Sequence, residues 1–93
     1  LKLSSRRRKQ EQDTMVIYLK AGGELRTKLN PDVDFYTRRV EAKEGQNLKD
    51  ILIGIGINPG YVAFAFKDGQ VKRLDYVPLD GDVITLQPPV SGG

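Results

Sequence analysis

The hydrophobic pattern of this chain changes period twice, and that change limits the fold more than any other feature. Leu48, Ile51, Leu52 and Ile55 fall at i, i+3, i+4 and i+7, which is one face of a helix. The apolar runs on either side alternate with period two, as half-buried strands do. Asn47 is placed to cap the helix, Asp50 suits its positive end, and Asn58-Pro59-Gly60 ends it after about three turns. A single short helix among strands cannot cover both faces of a sheet. The pattern therefore predicts an α+β domain with one main helix laid across a mixed sheet.

The strands read as follows. Val16–Lys20 places Ile17 and Leu19 on one face, and Ala21-Gly22-Gly23 breaks it. A polar stretch then runs to Asp34 and contains the breaker pair Asn30-Pro31. Phe35–Ala42 is the second strand, with Tyr36, Arg38, Val40 and Ala42 together, and it pairs antiparallel with the first across a long loop. Tyr61–Phe66 is the strongest strand signal, yet both of its faces are apolar: Val62, Phe64 and Phe66 on one, Tyr61, Ala63 and Ala65 on the other. If the alanines face the helix, Phe64 and Phe66 form an exposed patch suited to a partner. If they do not, the phenylalanines are core. Asp68-Gly69 reverses the chain into Gln70–Arg73, and Leu79-Asp80-Gly81-Asp82 turns it into Val83–Gln87, whose Ile84 and Leu86 should face inward. The order is β-β-α-β-β-β, with the last strand parallel to the first at the sheet centre.

Composition removes most enzyme classes. Ninety-three residues make one domain, and the chain contains neither cysteine nor histidine. Without them there is no disulfide frame, no Ser-His or Cys-His nucleophile and no ordinary zinc site. No apolar run is long enough to span a bilayer and no signal-peptide pattern is present, so a cytoplasmic protein with no membrane contact is the expectation. Asp80 and Asp82 flank a turn glycine, which points to turn geometry rather than a metal pair. Gly54, Gly56 and Gly60 follow a helix pattern instead of opening one, so they are not a dinucleotide loop.

Residues 1–14 carry Lys2, Arg6, Arg7, Arg8 and Lys9 against Glu11 and Asp13, an excess that equals the whole-chain net charge of +3. The segment reads as a disordered basic arm or an expression leader more than a nucleic-acid contact. Met15 follows as a natural start. The domain proper spans 15–87, and 88–93 form a tail.

That tail, Pro88-Pro89-Val90-Ser91-Gly92-Gly93, carries the chemistry. The two prolines cannot extend a sheet and favour an extended polyproline conformation. Six extended residues reach about 20 Å. Gly92 and Gly93 lack β-carbons and can thread a slot closed to other residues. The Gly93 carboxylate is ionised at neutral pH and must be activated before a nucleophile attacks it. The chain has no P-loop pattern to hold ATP, so that activation falls to a partner.

Leu79-x-Gly81-Asp82 before the last strand and Pro-Pro-Val-Ser-Gly-Gly after it make residues 15–93 resemble the ubiquitin-like sulfur carriers of the β-grasp fold. That family includes the molybdopterin synthase small subunit and the thiamine sulfur carrier, and the tail is most similar to the molybdopterin branch. The resemblance implies that an E1-like enzyme uses ATP to adenylate Gly93 and that a sulfur donor protein converts it to a thiocarboxylate (1-thioglycine). It also implies that a larger catalytic synthase subunit receives the tail, with Gly92 giving close approach and Pro88, Pro89, Val90 and Ser91 positioning the arm. Such a chain binds no cofactor and is a co-substrate more than an enzyme. Sulfur delivery to thiamine, a transfer-RNA base or an amino acid uses the same chemistry. So does a protein modifier joined through Gly93 to lysines, and an inert binding domain is the remaining reading.

Overall fold

The structure is a computed structural model and describes residues 14–89. Its elements in chain order are β1 (Thr14–Lys20), α1 (Gly23–Leu29), β2 (Thr37–Lys43), α2 (Leu48–Gly54), a 3-10 turn (Pro59–Tyr61), β3 (Phe64–Lys67), β4 (Gln70–Lys72) and β5 (Val83–Gln87). One mixed sheet has the order β2-β1-β5-β3-β4. β2 runs antiparallel to β1 along its whole length, from Thr14 opposite Lys43 to Lys20 opposite Thr37. β5 lies parallel to β1, with Tyr18 beside Val83, and antiparallel to β3.

Alternation decides which side of each strand is buried. Met15, Ile17 and Leu19 of β1, Val40 and Ala42 of β2, Ala65 of β3, and Ile84 and Leu86 of β5 all enter the core. The cover is α2, which contributes Leu48, Ile51 and Leu52, while the Asn47 side-chain oxygen accepts the Asp50 N–H at 2.9 Å. That cap satisfies a donor the helix itself cannot, which is worth about 1 kcal/mol. The Asp68-Gly69 hairpin has φ of 53° and 78° at its two central residues, the left-handed pair that a two-residue turn between twisted strands requires.

Four local expectations are corrected. The polar stretch after Gly23 is not loop throughout: it contains a second helix, α1, which buries Leu25 and Leu29 one turn apart. Asn30 closes it in a left-handed conformation, its N–H donating to the Arg26 carbonyl, so the breaker pair acts as a helix stop. β2 starts at Thr37 and not Phe35, because Asp34 Oδ1 accepts the Tyr36 N–H and folds that segment into a bend. Phe35 and Tyr36 remain exposed, and Tyr36 does not join the inward row of β2. β3 starts at Phe64 and not Tyr61, because Asn58 caps Gly60 and Pro59 opens a 3-10 turn. Thr14 opens β1, and Met15 is buried inside it rather than preceding it. The remainder of the predicted basic arm, 1–13, lies outside the described residues.

Candidate functional site

β5 is a central strand, flanked by β1 and β3, and it runs directly into Pro88 and Pro89. Its last rung joins Gln87 to Phe64, and the Ala63 N–H donates to the Gln87 carbonyl at 2.8 Å. Pro88 has no N–H to continue the ladder, so pairing stops and the chain leaves the sheet. Both prolines are exposed and line a pocket of about 200 Å³ with Glu24, Leu25, Lys28, Gly60 and Tyr61. Val90, Ser91, Gly92 and Gly93 lie outside the described residues. The root of the tail is therefore seated between α1 and the 3-10 turn.

A second surface lies on the side of the sheet away from α2. Ala65 is fully buried, so Phe64 and Phe66 point outward, half-buried, with ring centroids 5.3 Å apart in an edge-to-face contact. This resolves the ambiguity left by the two apolar faces of that strand. Val71 stands opposite Phe66, and Tyr18 beside Val83, so the outward face carries apolar side chains on four strands, with Thr85 between Phe66 and Lys20 on the same face. Val71 and Val83 are 61% and 47% exposed. The sequence reading did not single out Val71, Val83 or Tyr18. Val83 was legible as the residue alternating with Ile84.

The turn before β5 fixes where that strand begins. Gly81 has φ of 88°, and Asp80 Oδ1 accepts the Val16 N–H at 2.7 Å while the Gly81 N–H donates to the Val16 carbonyl. Asp82 accepts from the Tyr76 hydroxyl at 2.8 Å and the Leu79 N–H at 2.9 Å, and it pairs with Lys67 at 3.3 Å. The two aspartates thus have structural work, the role their spacing predicted. No group of three or more His, Cys, Asp or Glu that could hold a metal ion occurs among the described residues. No helix among them is long and apolar enough to cross a membrane.

These contacts shift the groups involved. Burial alone would raise the Asp82 carboxyl, but the Leu79 N–H, the Tyr76 hydroxyl and Lys67 outweigh it and hold it below the ordinary 3.8. Burial, then the bond to Asp82, raises the Tyr76 phenol. The Tyr76 hydroxyl and then Asp82 raise the Lys67 ammonium. Because the folded pKa of Asp82 is depressed, its contribution is fully present above 3.8 and is lost as pH falls through the folded value. Asp82→Asn is therefore expected to flatten the acid limb of stability. Thermal melts between neutral and strongly acid pH check this, and a parallel fall in both proteins would refute it. Asp82→Ala, which takes the acceptor from the Tyr76 hydroxyl, the Leu79 N–H and Lys67, is expected to cost about 1–3 kcal/mol at neutral pH by urea unfolding.

Comparison with known proteins bears on this geometry. The fold matches the crystal structure of SAMP1 from Haloferax volcanii with a TM-score of 0.58, at 22% identity, over 84% of this chain and 99% of that one. It also matches the solution structure of the HVO 2177 protein of the same organism with a TM-score of 0.62, at 19% identity, over 87% and 89% of the two chains. Both likenesses are of fold, and they identify the five-stranded sheet with its helices as the ubiquitin-like β-grasp. A search of the curated proteins returned no significant match. Residues 23–93 match the ThiS family, a span that starts at α1 and runs through β5, the proline root and the diglycine. That span is about three quarters of the chain, and the chain belongs to the ThiS family.

Proposed function

We propose that this protein is a sulfur carrier whose Gly93 is loaded as a thiocarboxylate and delivers sulfur in molybdopterin synthesis. The observation that carries the reading is the passage from a central, doubly paired strand through Pro88-Pro89 to a terminal diglycine. A strand held on both sides fixes the root of the tail, and two prolines limit the directions the next residues can take. The Gly93 carboxylate oxygen attacks the α-phosphorus of ATP in an E1-like enzyme, and pyrophosphate leaves. The terminal sulfur of a persulfide on a donor protein then attacks the acyl carbon, and AMP leaves with the bonding pair. A thiol next attacks the donor-side sulfur of the resulting acyl disulfide, and the Gly93 thiocarboxylate leaves with the S–S bonding pair.

Having neither His nor Cys, the carrier has only carboxylates, Lys and Tyr for general acid–base work. Its part is to present the acyl group, so it is consumed and regenerated as a co-substrate. A larger catalytic subunit would take the loaded tail, with the outward strip of Phe64, Phe66 and Val71 as the surface that docks. The molybdopterin assignment rests on Pro-Pro-Val-small-Gly-Gly in this sequence. Intact mass after incubation with an E1-like enzyme, ATP and a sulfur source tests the loading. The expected gain is that of one oxygen replaced by one sulfur, and no gain with a cognate enzyme would overturn the proposal. Ladders of higher mass would instead identify a protein modifier. Reconstitution with a pyranopterin precursor and the large synthase subunit tests the pathway, with dithiolene formation as the expected product.

A further inference from the structure

The pocket at the root of the tail bears on how a partner must approach, and this inference rests on the carrier reading above. Only four residues, Val90 to Gly93, separate Pro89 from the reacting carboxylate. Fully extended they reach at most about 14 Å. Any active centre that holds the Gly93 carboxylate therefore lies within that distance of Pro89. If it also encloses the diglycine in a slot, the mouth of the slot must come up against the surface around Pro89. That surface is the pocket formed by Glu24, Leu25 and Lys28 of α1, by Gly60 and Tyr61, and by the prolines themselves.

The cations of α1 are held on aromatic rings. Lys28 Nζ sits 4.4 Å from the centroid of the Tyr61 ring, and the Arg26 guanidinium 4.0 Å from that of Phe35. The ion pairs among the described residues are Arg39–Glu41 and Lys67–Asp82, so neither Arg26 nor Lys28 is matched to a carboxylate there. Glu24 is the one acid lining the pocket. Lys28 is thus held on an aromatic face beside the exit of the tail, and Arg26, outside the pocket lining, is held on another ring from the same helix. A cation on a ring keeps a fixed position at small entropic cost and gains strength as water is removed. The floor beneath Lys28 is apolar: Leu25 is buried, and Tyr61 carries Lys28 on its ring while staying 48% exposed.

We infer that this pocket receives the rim of the tail-accepting slot of the activating enzyme, and that the rim carries carboxylates opposite Lys28 and Arg26 and an apolar side chain over Tyr61. The outward strip of the sheet is then a second contact, and the α1 pocket is the one that registers the tail. Exposed charges of this kind act mainly on encounter and on salt dependence.

The test is ATP–pyrophosphate exchange by the source organism's E1-like enzyme, with the full chain as the varied substrate. Reversing both charges, Arg26→Glu with Lys28→Glu, is expected to raise KM by about tenfold or more at low salt, the effect falling on KM rather than kcat. The KM of the unaltered protein should rise with added salt and that of the reversed variant should not. Lys28→Gln removes a charge without adding a repulsion and should give a smaller rise, while Lys28→Arg should restore the KM of the unaltered chain. Melting temperatures of all variants should agree, since these side chains lie outside the core. An unchanged KM in the reversed variant, with the unaltered protein active, overturns the inference and leaves the carrier reading standing. An unaltered protein that supports no exchange overturns both.

Discussion

Removal of Gly93 alone is expected to abolish adenylation while the melting temperature stays that of the full chain. Deletion leaves a chemically identical carboxylate, now on Gly92. What changes is position: the carboxylate retreats by about 3.3–3.6 Å along an extended chain. The root cannot follow, because β5 is paired on both sides and Gln87 is its last rung. Misplacement by about 1 Å can cost on the order of 10²-fold in rate, so a retreat of more than 3 Å should exceed that loss. Stability should not respond, since the last buried residue of β5 is Leu86 and both prolines are exposed. Pyrophosphate exchange and a thermal melt on the same sample check the two halves. Exchange that survives the deletion would sink the carrier reading.

The contrast between what was legible and what was not follows from how much sequence each feature occupies. Helix α2 shows itself through Leu48, Ile51, Leu52 and Ile55, enough positions to fix a period, and the structure keeps Asn47 as its cap. The helix is shorter than the expected three turns, ending at Gly54 with Ile55 as its C-cap, and Asn58-Pro59-Gly60 belongs to the 3-10 turn that follows. The hairpin at Asp68-Gly69 is local chemistry, and so is the turn at Gly81. Helix α1 was not legible, because seven residues with only Leu25 and Leu29 buried cannot establish a period. Its stability comes from tertiary burial rather than from propensity. The facing of Phe64 and Phe66 was undecidable for a different reason. Both sides of that run are apolar, and the 3-10 turn at Pro59–Tyr61 shifts the phase, so that Val62 and Ala65 are both buried three residues apart. The pocket draws on residues 24, 25, 28, 60, 61, 88 and 89, which only the fold brings together. The tail motif was plain in sequence, yet its seat was not.

Ile84→Ala is expected to be the most damaging single core change in the strand that carries the tail. Ile84 is fully buried and stands beside Leu19 at the centre of the sheet, where β1 and β5 run parallel. Truncation there removes three carbons from a site walled by two paired strands and by helix α2, which cannot collapse to fill it. Such a change costs about 2–5 kcal/mol. A domain of this size has about 5–14 kcal/mol in total, so the loss is a large fraction of its stability. The melting temperature should fall on the order of 10–30 °C, at about 4–8 °C per kcal/mol for a small domain. Ile84→Val, which removes one methylene, should cost about 0.5–1.5 kcal/mol. Val83→Ala on the outward face of the same strand should stay within about 0.5 kcal/mol, since that side chain is 47% exposed. Urea unfolding with unchanged slopes measures all three. Equal costs for Val83→Ala and Ile84→Ala would mean that β5 does not present its alternate residues to opposite sides. The outward valine and phenylalanines would then be structural rather than available to a partner. The expected inequality instead separates the two duties of this strand, with one row of side chains holding the sheet together and the other left open, while its end directs the tail.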